Sequence, residues 1–157
     1  IQKSEEVPPD WHPRHCHSIK TYEYRIYRAE FSMPVKRLYS YFFYRPLDIV
    51  CMREAAACLE GEHDFRSFCQ TGAQVESTVR TLYAVQVEEQ GADLVVKIRG
   101  NGFLYNMVRI IVGTLIEVGQ GKREPESMWE VLAARDRCAA GPTAPAHGLT
   151  LVKYEFL

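Results

Sequence analysis

Apolar and polar positions alternate from Lys20 to Arg28, with Tyr22, Tyr24 and Ile26 on one side and Thr21, Glu23 and Arg25 on the other. That period of two predicts a half-buried strand. Residues 31–46 are rich in aromatics and predict a short strand within a loop. Asp48 is placed to cap a helix whose inner face is Ile49, Met52, Ala56 and Leu59, with Gly61 ending it. Residues 78–88 and 93–100 alternate again, and the short link through Gly91 makes them a hairpin. Between residues 101 and 121 the period changes: Leu104, Met107, Val108, Ile111, Leu115 and Val118 form a helical stripe. Tyr105, Ile110 and Ile116 make the opposite side apolar too, so this helix is expected to be covered on both sides. Pro125 opens another helix, with Met128, Val131 and Leu132 facing inward. A Pro/Ala/Gly loop over 141–147 precedes a last strand over 148–156.

The order β-(β)-α-β-β-α-α-β predicts an α+β fold, a mainly antiparallel sheet with helices packed on one face. At 157 residues one domain is expected, burying about 70% of its extended-chain surface. Residues 1–13 are polar and proline-marked and read as a linker or arm, leaving 14–157 as the domain. The sequence opens without a methionine, which suggests a piece of a longer chain. No apolar run is long enough for a membrane span. The five cysteines are an odd number without a Cys-x-x-Cys pair, which fits reduced thiols in the cytoplasm. A net charge of −1 gives no global attraction to nucleic acid, so any RNA surface must be a local basic patch.

Arg109 is the only cation between residues 101 and 121. The residues leave two readings open: a solvated arginine on the helix's outer face, or an enclosed one that needs a carboxylate or phosphate close by. His12, His15, Cys16 and His17 are crowded, but they follow no zinc spacing and no second cluster completes a site, so no metal is expected.

Three segments together resemble the TruA-type tRNA pseudouridine synthases. The first is Asp10-Trp11-His12-Pro13-Arg14 followed by Lys20-Thr21-Tyr22-Glu23-Tyr24-Arg25-Ile26. The second is Gly61-Glu62-His63-Asp64-Phe65-Arg66-Ser67-Phe68, then Thr78-Val79-Arg80-Thr81. The third runs from Phe103-Leu104-Tyr105-Asn106-Met107-Val108-Arg109 through Leu115, with Ala144-Pro145-Ala146-His147-Gly148-Leu149 near the end. One departure matters: the family's nucleophilic aspartate sits in an Arg-Thr-Asp-Ala-Gly-Val-His motif, and none of Asp10, Asp48, Asp64, Asp93 or Asp136 has that context. The resemblance therefore implies a C-terminal half, inactive without its N-terminal half. It implies isomerisation of uridines on the 3′ side of the tRNA anticodon arm, no cofactor, and a homodimer.

It also assigns candidate roles. Arg109 matches the basic residue that pairs with the missing aspartate, and Tyr22, or else Tyr24, the active-site tyrosine that packs on the target base. Arg14, Lys20, Arg25, Arg66 and Arg80 are candidates for phosphate contacts, which position RNA without reading its sequence. The alternative from another class is a non-catalytic RNA-binding or dimerisation module.

Overall fold

The structure is a computed structural model that describes residues 4–9, 11–12, 16–72 and 75–157. Six strands form one sheet. The strand β1 (Ser18–Tyr27) lies beside β5 (Asp93–Gly100), followed outward by β4 (Val79–Gln90) and β3 (Gly61–Asp64). On its other side β1 is flanked by β6 (Leu149–Phe156) and, at its end, by the two residues of β2 (Tyr41–Phe42). All pairings are antiparallel except β1 with β2. The expected α+β class with a mainly antiparallel sheet is what the chain forms.

The β4–β5 hairpin turns between Gln90 and Asp93, where Gly91 takes a φ of 64°. That left-handed value is what a tight hairpin turn asks of its first position. Opposite Gly100 and Arg99, β4 slips by one residue at Tyr83. The bulge puts Leu82, Val85 and Val87 on one face despite their uneven spacing, and all three are buried.

Among the described residues, two helices pack on that face and a third on the turn after β3. Asp48 caps α1 (Ile49–Ala57), its carboxylate accepting from the Val50 and Cys51 amides at 3.0 and 3.1 Å. These amide bonds, the one to Cys51 first, hold the Asp48 carboxyl below its ordinary range. The expected end at Gly61 is wrong. The helix stops at Ala57, Leu59 and Glu60 continue as tight turns, and Gly61 at φ 103° begins β3. The sequence does not announce β3 either, because Gly-Glu-His-Asp carries no apolar alternation.

The buried helix is α2 (Met107–Gly119), with eleven of its thirteen residues buried. It is covered by α1 and β1 on the sheet side and by the 140–145 loop elsewhere. A methyl on Gly113 would collide with the Pro142 carbonyl, and Thr114 Oγ1 accepts from the Gly141 amide at 2.9 Å. Tyr105 corrects the expected pattern: it precedes the helix and is 64% exposed instead of lining a covered side. The third helix, α3 (Ser127–Ala134), buries Met128, Val131 and Leu132 as expected.

Candidate functional site

Tyr22 and Tyr24 share a strand face but differ in surroundings. Tyr24 is fully buried, and its hydroxyl donates to the Pro145 carbonyl at 2.7 Å. Gly148 presses against the same ring, where any side chain would clash. Tyr22 is only half-buried and meets Phe103 edge-on, with ring centres 5.1 Å apart. Those two rings, with Leu104, Tyr105, Asn106, Met107, Val108 and Leu149, line a cleft of about 210 Å³. That is below the ~300–1,000 Å³ of pockets enclosing drug-sized ligands. It suits one flat ring.

Burial first, and then neighbouring Tyr154, raises the Tyr22 hydroxyl above its ordinary value. Burial raises Tyr24 much further, with Tyr41 adding to it and the Arg109 guanidinium opposing. Both phenols therefore stay protonated near neutral pH. Tyr22 can stack on a ring and hydrogen-bond through its hydroxyl.

Arg109 lies on the first turn of α2, half-buried. Its Nε donates to the Ala144 carbonyl at 2.7 Å and Nη1 to Asn106 Oδ1 at 2.9 Å. The Ala144 amide in turn donates to the Arg109 carbonyl at 3.0 Å, which clamps the 140–145 loop to the helix. Among the described residues no carboxylate pairs with this guanidinium. Glu117, the acid of the same helix, is taken by Arg123 at 2.6 Å. A half-buried cation held only by neutral acceptors keeps its charge uncompensated, ready for an anion.

Asn106 stands within the third motif, and nothing in its local sequence marks it as the partner of Arg109. It occupies the N-cap position of α2 at φ 60°, yet its side chain makes no capping bond. Its amide oxygen serves Arg109 instead. Asparagine tolerates the left-handed region better than most residues, and such departures concentrate at functional sites. Ala144 was invisible as a partner because the contact is made by a backbone carbonyl 35 residues away.

Beyond Phe103 lies a second depression of about 320 Å³, lined by Cys16, Ser18, Lys20, Val79, Arg80, Asn101 and Gly102. It brings Lys20 and Arg80 together, one ring's width from the Tyr22 cleft. Lys20 rests over the Tyr154 ring at 5.0 Å, and Arg80 bonds the Ser77 and Val79 carbonyls. Arg25 is on the opposite sheet face, near Glu23, Gln90 and Asp93 at 3.7, 3.3 and 3.4 Å, and does not join this group. Arg66 is exposed on the 3-10 turn after β3, outside both depressions. Arg14 and His15 lie outside the described residues. Among those described, no cluster of three or more His, Cys, Asp or Glu could hold a metal, and no helix is long and apolar enough to cross a membrane.

Comparison with known proteins gives one answer. A family model described as tRNA pseudouridine synthase matches residues 55–156. The chain is 49% identical over 149 residues to tRNA pseudouridine synthase A of Halalkalibacterium halodurans, covering 95% of the chain and 57% of that protein. It is 50% identical to the protein of that name from Brevibacillus brevis, covering 96% of the chain and 62% of the relative. With the one from Geobacter sulfurreducens it shares 42%, covering 99% and 64%. The chain thus spans about three fifths of the length of the relatives it matches.

Proposed function

The chain belongs to the tRNA pseudouridine synthase family, and from that premise we propose that it supplies the base-holding half of an enzyme that isomerises uridine to pseudouridine in tRNA. The N1–C1′ bond of the nucleotide breaks, the freed uracil turns, and C5 joins C1′. The C5 proton leaves and N1 ends protonated, so the reaction balances without oxidant, reductant or cofactor. A base must leave the helical stack to reach such a site.

The observation that carries this reading is an aromatic cleft for one ring, whose lining residue Asn106 holds an arginine without an anionic partner among the described residues. Tyr22, rather than the enclosed Tyr24, packs on the base. An aromatic face holds a ring that must rotate, because stacking does not fix its edges. Arg109 pairs with the reacting carboxylate, which comes from a segment outside residues 1–157. Lys20 and Arg80 take backbone phosphates beside the cleft. The target is the 3′ side of the anticodon arm, and a second copy of the enzyme completes the RNA cleft. The unpaired cysteines fit work in the cytoplasm.

The test is tritium release from tRNA labelled at uridine C5. The 157 residues alone should bind tRNA and release nothing, and the same residues joined to an N-terminal half bearing the Arg-Thr-Asp motif should release label. Release by the chain alone overturns the division of labour. No release from the joined protein, with tRNA still bound, favours the non-catalytic RNA-binding module.

A further inference from the structure

A third depression, of about 470 Å³, has a different character. Its lining includes Arg66, Gln70, Thr78, Arg135, Asp136 and Arg137, and no aromatic ring. We propose that this basin is a second RNA contact, binding a backbone phosphate of the strand whose target base enters the Tyr22 cleft. The proposal rests on the tRNA reading above and extends it to residues outside the cleft.

The chemistry selects phosphate over base. Without a ring, the basin offers a nucleobase nothing to stack on, whereas three guanidiniums suit an oxyanion. Arg66 has no side-chain partner among the described residues, and neither Arg66 nor Arg137 has an ionic one. Arg137 is aimed by bonds to the Ala140 carbonyl and Thr143 Oγ1 at 3.3 and 3.2 Å. Of the two acids nearby only Asp64 has an ionic partner among the described residues, so three guanidiniums outnumber the one acid, Asp136, that lines the basin. Asp64 accepts from the Arg66 amide and Thr78 and pairs with Arg135 Nε at 3.2 Å, while Asp136 caps the Cys138 amide.

Arg135 gives an independent sign. It ends α3 at φ 51°, where glycine would sit without strain. The arginine that stands there instead pairs through its Nε with Asp64 and is otherwise exposed, and such backbone departures concentrate at functional sites. Position supports the link to the cleft, because the Gln70 amide in the basin donates to the Tyr105 carbonyl on the cleft's rim at 3.0 Å. One strand can therefore place a base in the cleft and a neighbouring phosphate in the basin.

The experiment measures affinity of the 157-residue chain for a fluorescent tRNA anticodon stem-loop between 50 and 200 mM salt. Arg66→Gln and Arg135→Gly should each lower the slope of log affinity against log salt by about 0.7–0.9, the value of one phosphate contact. Across that fourfold salt range each variant then loses about threefold less affinity than the wild type. Arg135→Gly also relieves the backbone, so its unfolding midpoint should hold or rise while RNA binding falls, which a merely structural arginine would not do. Tyr22→Ala should weaken binding without changing the slope. Wild-type RNA binding with unchanged slopes in both arginine variants overturns the basin and leaves the function standing. Failure of the wild-type chain to bind the stem-loop overturns both.

Discussion

Substitutions at Asn106 separate the two things this residue does. Its backbone holds φ 60°, and its amide oxygen accepts from Arg109 Nη1 at 2.9 Å. Asn106→Gly keeps the backbone unstrained and removes only the acceptor. A half-buried hydrogen bond from a charged donor contributes about 1 kcal/mol net here, at the low end because water reaches the site. Asn106→Ala loses the same bond and keeps a Cβ in the left-handed region without asparagine's tolerance of it, adding under about 1 kcal/mol. The expected losses are therefore about 1 kcal/mol or less for glycine and about 1–2 kcal/mol for alanine. Asn106→Asp keeps the conformation and offers Arg109 a carboxylate beside a helix N-terminus, so stability should hold or rise by under about 1 kcal/mol. Urea unfolding followed by circular dichroism, with the m-value shared across the series, measures all three. In the catalytically complete enzyme the aspartate variant should move activity the other way, because the resident carboxylate competes for the arginine. Equal losses for glycine and alanine would refute the backbone argument. An aspartate variant as unstable as glycine would refute the pairing.

Two other outcomes follow from neighbouring groups. In the complete enzyme, Tyr22→Ala should lose the stacking face, worth about 1–3 kcal/mol per base, and Tyr22→Phe should lose less; equal and near-complete loss of tritium release in both would mean that the hydroxyl does the chemistry. Asp48 has a depressed folded pKa, so its stabilising contribution is present above the ordinary aspartate range and is lost as pH falls through the folded value. The urea midpoint of wild type should therefore fall more steeply than that of Asp48→Asn below about pH 4, and parallel curves would contradict it.

Most elements were legible because their signals are local. Alternation along β1 and β5, the Asp48 cap and the stripe of α2 all express one element's contact with one core. What escaped depended on distant chain. β3 exists because β4 offers it an edge, not because Gly-Glu-His-Asp favours a strand. Tyr105 fits a helical period, yet the left-handed turn at Asn106 starts the helix after it. The site divides in the same way. Arg109 stood out as a cation on an apolar helix, whereas its holders are an amide in an unusual conformation and a carbonyl from the 140–145 loop. Arg25 shows the opposite failure: a cation beside Tyr22 in sequence faces away from it, since strand neighbours alternate sides.

Arg109→Met offers the most direct measurement, because the unbranched apolar stem keeps α2 packed while the fork disappears. Joined to an N-terminal half that supplies the carboxylate, the variant should unfold at a urea midpoint close to the wild type and still bind tRNA. Its single-turnover tritium release from C5-labelled tRNA should drop by about 10²–10³-fold, the usual effect of deleting one group that stabilises charge in a transition state. A folded Arg109→Met enzyme that releases tritium at the wild-type rate would remove Arg109 from the chemistry, and with it the proposed pairing of this helix and the missing carboxylate.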